Sequence, residues 1–282
     1  MQNDELRQRL APTPLGGIEP HSGLLQMPLE HQQLFKIVSV ENLLRSVRSG
    51  YLHFNRVDRY SDLPNADIHD GEQLPKDRSG NAITRFAKAP NFSTEDYYDQ
   101  SRQRTYACCF SLENSEFLWT NYANGNPHGK VCVVFDFGKL RAKINRELGP
   151  EGARMIYHGV SCHQIFSVNY GLIEYVDWNQ HQANAPCLQN PIRYTYLKSR
   201  RFSEEREFRI SLSAAGFGQF VLNNGETIDF PPALQLKFDF RAAIEDLTIQ
   251  SILYGSDCDI QFLRSELNQE RIVPMETSPI RG

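Results

Sequence analysis

The segment Lys198-Ser-Arg-Arg-Phe202-Ser-Glu-Glu205-Arg-Glu207-Phe-Arg209-Ile-Ser-Leu212 alternates in its second half as a half-buried β-strand does. A strand over Glu205–Ser213 sends Phe208, Ile210 and Leu212 to one face. Glu205, Glu207, Arg209 and Ser211 go to the other. Such a strand belongs to a sheet with a core on one side and two carboxylates and a guanidinium on the other. Two readings fit. Alternation alone favours a half-exposed strand whose Arg–Glu pair is worth about a few tenths of a kcal/mol. The sharper reading is a site where one carboxylate stabilises a developing cation and its neighbour positions a nucleophile.

Upstream, Leu34–Val38 reads as a short strand, followed by a helix over Val40–Arg48 with Val40, Leu43, Leu44 and Val47 at i, i+3, i+4 and i+7. Ser39 is placed to cap that helix and Gly50 to stop it, and Tyr51–Phe54 reads as a second strand. Thr105–Ser111 is a strand, Glu113–Asn124 a helix, Val131–Phe137 a nearly all-apolar strand, and Lys139–Leu148 a basic amphipathic helix stopped by Gly149-Pro150. Strand patterns dominate the second half: Met155–His158, Gly171–Val176, Gln219–Leu222, Thr227–Phe230, Gln235–Phe240, Thr248–Tyr254 and Ile272–Met275, with a helix near Ile260–Asn268. The expected fold class is α+β, with a mixed, mostly antiparallel sheet and flanking helices.

Residues 1–28, rich in Pro and Gly without periodicity, read as a loosely ordered arm. Residues 29–282 then form one domain, interrupted by a polar, mobile insertion at about 56–104. The chain has 282 residues and a net charge of −4, too acidic overall for non-specific attraction to nucleic acid. No apolar run approaches the roughly 20 residues that span a bilayer, so no membrane association is expected. The start, Met1-Gln2-Asn3-Asp4-Glu5, lacks an apolar signal core, and the six cysteines form no CxxC. These features point to a cytoplasmic protein with free thiols. Neighbours on a strand, Cys108 and Cys109 should point to opposite faces and stay unpaired.

Other candidates are weaker. Trp119 and Tyr122 share a helix face, a spacing more often core than ligand platform. Ser111 ends a strand and is placed to cap the next helix. His158, Cys162 and His163 are three ligand types, but adjacent residues on a strand diverge, and no metal site is expected. Gly216-Phe-Gly218 reads as a hairpin turn. Lys198, Arg200, Arg201 and Arg206 form a basic cluster, by default a solvated turn.

Taken together, Phe35-Lys36, Cys109-Phe110-Ser111, Leu118-Trp119-x-x-Tyr122-Ala123, Gly129 to Asp136, and Lys198…Phe202-x-x-Glu205-x-Glu207-x-Arg209 resemble a bacterial family catalogued only as a domain of unknown function. Phe202 stands where that family tends to carry Trp. The order of parts is also distantly similar to the ADP-ribosyltransferase fold: a basic residue on the first strand, a Ser-bearing strand, and a Glu-x-Glu ahead of an apolar strand. That resemblance implies an NAD-consuming transferase with NAD as substrate and a macromolecular acceptor, possible roles being toxin or phage-defence effector with an antitoxin or defence-system partner. It implies Glu207 and Glu205 as catalytic residues, with Lys36, Ser111, Trp119, Tyr122 and Arg209 around the NAD. Glu207 would stabilise the oxocarbenium-like species, and Glu205 would orient or deprotonate the acceptor. Residues 58–77 would serve as a lid or acceptor-recognition loop. The alternative is a non-catalytic or nuclease-like nucleic-acid module using Lys198, Arg200 and Arg201.

Overall fold

Alternating and all-apolar runs become strands β1 (Gln33–Ser39), β2 (Tyr51–Arg56), β3 (Arg85–Phe86), β4 (Ala89–Ser93), β5 (Thr105–Ser111) and β6 (Lys130–Asp136) in the first half. The second half supplies β7 (Met155–Tyr157), β8 (Val160–Cys162), β9 (Phe166–Leu172), β10 (Glu174–Val176), β11 (Leu197–Ser199) and β12 (Glu207–Ala214). After these come β13 (Phe220–Val221), β14 (Thr227–Ile228), β15 (Ala233–Lys237), β16 (Ile249–Tyr254) and β17 (Met275–Thr277). The computed structural model describes residues 19, 23–62, 66–148, 155–157, 160–162, 166–182, 191–214, 220–221, 224–270 and 275–277.

The sheet forks at β5. One edge of that strand pairs along its whole length with β12, Glu207 opposite Ser111 and Ser213 opposite Thr105. The other edge is shared: β2 takes Tyr106 and Ala107, and β1 takes Ser111. From β1 the sheet continues through β6 and β16 to β17, from β2 through β15 and β7 to β8, and from β12 to β9. All of these pairings are antiparallel except that of β16 with β17. The α+β class with a mostly antiparallel sheet is what the sequence leads one to expect.

One face of the sheet carries Leu34, Phe110, Val133, Phe135, Phe208, Ile210 and Leu212, and it is sealed by helices. Helix Val40–Ser49 buries Val40, Leu43 and Leu44, and helix Phe137–Leu148 buries Phe137, Leu140 and Ile144. The first helix uses all its local signals: Ser39 Oγ accepts from Asn42 N–H, and Gly50 adopts the left-handed φ of +65°. At about 25 cal/mol per Å², side chains of this size contribute roughly 1.5–3 kcal/mol each when fully buried. On the opposite face, Trp119 from helix Glu116–Asn121 packs on Cys132, Val134 and Leu253.

Several expectations change. The segment 56–104, read as a connection without structure of its own, holds the 3₁₀ turn Val57–Asp62, helices Pro75–Ile83 and Thr94–Arg102, and the β3–β4 hairpin. Its polar composition looks solvated, but Asp67, Asp70, Gln73, Asp77 and Asn81 are buried because each meets a partner. The arm read over 1–28 lies outside the described residues up to 22, apart from Glu19, whose carboxylate meets Arg141 and Asn145. Within it Leu25 is buried against Ile173, Ile192 and Tyr196. The helix expected over Glu113–Asn124 is only Glu116–Asn121, and Gly171–Val176 divides between β9 and β10. The run Gln235–Phe240 also divides, because Asp239 caps a helix that starts at Phe240. His158, His163, Cys187, Gly216 and Gly218 lie outside the described residues.

Candidate functional site

β12 begins at Glu207, two residues later than its alternation suggests, because Arg200–Glu205 coils into a 3₁₀ turn that ends on Arg206 at a left-handed φ of +46°. Glu205 therefore closes a turn and does not sit on the strand. The kink still delivers both carboxylates to one ammonium: Lys198 Nζ, from β11, lies 2.5 Å from Glu205 Oε2 and 3.1 Å from Glu207 Oε2. Arg209, on the same face of β12 as Glu207, reaches Glu207 Oε1 at 2.7 Å and holds Asp70 with two parallel contacts of 2.6 and 2.9 Å. The backbone carbonyl of Thr195 accepts a further bond from Arg209 Nη1 at 2.7 Å.

These five charged side chains are shut from water, Arg209 at 1% exposure and Glu207 at 5%. Three acids against two bases leave one negative charge in excess, which a single proton cancels. That proton belongs to Glu205. Burial and the neighbouring Glu207 push its carboxyl up to about 7, against the pull of Lys198. For Glu207 burial also acts upward, but the Arg209 guanidinium and the Lys198 ammonium outweigh it and hold the group well below the usual carboxylate range. Lys198 stays charged because Glu207, Asp70 and Glu205 more than offset its burial.

Tyrosines finish the enclosure. Tyr122 O–H donates to Glu205 Oε1 at 2.5 Å, and Tyr175 Oη accepts from the Glu207 backbone N–H at 2.8 Å. Tyr60 lies under Arg209, its ring centroid 5.5 Å from the guanidinium carbon, with its hydroxyl 3.1 Å from Cys109 Sγ. Burial raises the Cys109 thiol, so it is no thiolate nucleophile at neutral pH. Phe202 is flanked by Lys198 and Arg201, at 5.0 and 4.6 Å from its ring centroid.

The residues expected to surround an NAD separate into two groups. Glu205, Glu207, Arg209 and Tyr122 come together as described. Ser111 is directly opposite Glu207, but its Oγ accepts from Glu113 N–H at 3.1 Å and stabilises the turn leaving β5. Trp119 is buried in the core layer and donates from Nε1 to Asn114 Oδ1 at 2.7 Å.

Lys36 is a correction. Phe35, Ser111 and Glu207 are aligned across β1, β5 and β12, so the next residue, Lys36, projects from the other face. Its Nζ sits 5.0 Å from the Phe110 ring centroid and donates to the Cys109 carbonyl at 2.9 Å, in the fork where β1 and β2 diverge from β5. β1 and β12 are close in the sheet, as expected, but Lys36 does not face Glu207. The basic cluster also dissolves: Lys198 turns inward, while Arg201 and Arg206 stay about three-fifths exposed beside Asp67 and Glu113.

Sequence reasoning missed Asp70 and Asp67, and took Lys198 for a surface charge. Asp67 caps the turn above the site, accepting from Ser199 N–H at 3.1 Å. Cys108, Cys109, Cys132 and Cys258 are free thiols. Among the described residues no helix is long and apolar enough to cross a membrane.

Residues 118–210 match the model of a family described as a protein of unknown function, DUF2971. The matched stretch is about a third of the chain and includes Tyr122, Lys198, Glu205, Glu207 and Arg209, but neither Lys36 nor Asp70. Among solved structures, DarT from Thermus sp. 2.9 in complex with ADP-ribosylated ssDNA is similar at 10% identity and a TM-score of 0.33, over 92% of this chain and 96% of that one. No curated protein sequence matches. What the chain resembles, over the segment that carries its two glutamates, is the DUF2971 family.

Proposed function

We propose that the protein is a cytosolic NAD-consuming transferase of the ADP-ribosyl type, acting on a macromolecular acceptor, with Glu207 and Glu205 as its working carboxylates. The unequal pair is the observation that supports this reading. One site holds a carboxylate locked in its charged form beside another that titrates near neutrality, the division of labour that acid–base chemistry at pH 7 needs. Breaking the nicotinamide–ribose bond develops positive charge on the ribose, and a fixed Glu207 anion opposes that charge. The bond's electron pair leaves with nicotinamide. Because the Glu205 carboxyl titrates at about 7, it is ionised in part of the molecules near neutral pH, and in that form it takes the acceptor's proton as the acceptor's oxygen or nitrogen bonds to the ribose carbon.

The complete pairing of Glu207 at 5% exposure favours a second reading, in which the network only fastens segment 57–104 to the sheet. Nicotinamide release by wild type, Glu207→Gln and Glu205→Gln, in the presence of cell lysate as acceptor, separates the two. The transferase reading expects Glu207→Gln to lose on the order of 10²–10³ in rate with NAD binding retained. Glu205→Gln should impair transfer more than simple NAD hydrolysis. Wild-type protein that neither binds nor consumes NAD would falsify it and leave the fastening role.

A further inference from the structure

A second, open site lies at the end of β1 and β5. It is a groove of about 1110 Å³ floored by Phe35 and Leu112 and edged by Gln33, Asn114 and Gln250, ample against the roughly 300–1,000 Å³ of ordinary ligand sites. Among the described residues no lysine or arginine lines it, and its carboxylates are already paired, Glu30 with Arg141 at 2.8 Å and Glu113 with Arg206 at 3.4 Å, so no free cation there would hold a phosphate. Gln33 Nε2 donates to Gln250 Oε1 at 2.7 Å. That bond uses one N–H of Gln33 and the oxygen of Gln250, and leaves Gln33 Oε1 to accept and both N–H groups of Gln250 Nε2 to donate. Asn114, whose Oδ1 is held by the Trp119 indole N–H, adds its amide nitrogen as a further donor.

We infer that this groove is a nucleobase site, in which the Gln33–Gln250 pair reads the adjacent donor and acceptor of an adenine edge while Phe35 offers its ring to the base. Carboxamides meet adenine through its amino group and a ring nitrogen, and an aromatic ring gives any base a stacking partner. A neutral, flat, amide-like edge suits these walls, and a phosphate or a carboxylate does not. The inference does not need the transferase reading, because base binding requires no turnover. If both hold, the alignment of Phe35, Ser111 and Glu207 puts the groove about 10 Å, two strand spacings, from the glutamate pair.

The chain's own reporter is Trp119, bonded to Asn114 at the groove's edge, with Trp178 as internal control, since the sequence has 2 tryptophans. Adenosine titrated into the full-length protein should shift the Trp119 indole N–H resonance saturably and leave that of Trp178 in place. Gln33→Ala and Gln250→Ala should each raise the half-saturating concentration about tenfold, with unchanged thermal unfolding as the folding control. Inorganic pyrophosphate should neither shift Trp119 nor compete. The inference is overturned if adenosine leaves Trp119 unmoved at millimolar concentration, if both variants titrate like wild type, or if pyrophosphate displaces adenosine. Adenosine binding without nicotinamide release keeps this site and removes the transferase, and the reverse result does the opposite.

Discussion

The two faces of β12 are equally dry and are held by opposite means. Phe208, Ile210 and Leu212 meet rings and aliphatic chains on one side, and Glu207, Arg209 and Ser211 meet ions and hydroxyls on the other. Apolar packing is forgiving, since neighbours of similar volume can exchange at small cost. A buried charge is not, because each ion relies on a named partner to replace the water it lost. The polar face is thus the more specific and the more fragile of the two, and segment 57–104 is attached through it.

Paired substitutions on adjacent residues break this comparison most directly. Ile210→Leu should cost less than about 1.5 kcal/mol. Arg209→Leu should cost about 3–5 kcal/mol, because it takes the paired guanidinium from buried Asp70 and leaves Glu207 with Lys198 alone. Urea unfolding of both variants gives the answer, and an Arg209→Leu protein as stable as Ile210→Leu would mean that the ions carry no structural weight.

A smaller effect sharpens it through pH. The folded Glu205 carboxyl, at about 7, lies above its ordinary 4.5, so the native state keeps a proton that the unfolded chain releases. Stability contributed by this residue is complete below pH 4.5 and declines as pH rises toward 7. Glu207 runs the other way, its contribution being lost as pH falls below its ordinary value, outside that window. Unfolding midpoints across the window should therefore show Glu205→Gln gaining on wild type as pH rises. Parallel curves for the two proteins would sink the assignment of the shared proton to Glu205.

The smallest expected change is at Ser111. If its hydroxyl serves only the turn at Glu113, Ser111→Ala costs about 1 kcal/mol and leaves nicotinamide release untouched. A fall in turnover without loss of stability would return Ser111 to the reacting end of the site.

Much of the sheet was legible because its signals are local. β5 spans the residues its pattern marks, Ser39 and Gly50 bound their helix, and the apolar alternation of β12 reads directly. The site was legible only in its sequence-near half, Glu205, Glu207 and Arg209. Asp70 looked like one more solvated acid in a polar stretch, since nothing near it announces a guanidinium from a distant strand. Lys198 looked basic and exposed because the carboxylates that draw it inward sit across a turn whose left-handed residue, Arg206, carries no glycine to mark it. Which way Lys36 points depends on the pairing of Phe35 with Ser111, a register that neither strand encodes alone.

The contact between Asp70 and Arg209 joins residues 139 positions apart. At about 5–20 residues per second of synthesis, Asp70 joins the chain roughly 7–28 s before Arg209 does. For that interval the nascent segment carries an acid with nowhere dry to go, so its burial must await the arrival of β12. Premature termination anywhere before Arg209 would then yield a chain whose first hundred residues display Asp67 and Asp70 to solvent, with the surfaces around them open to chaperones and proteases.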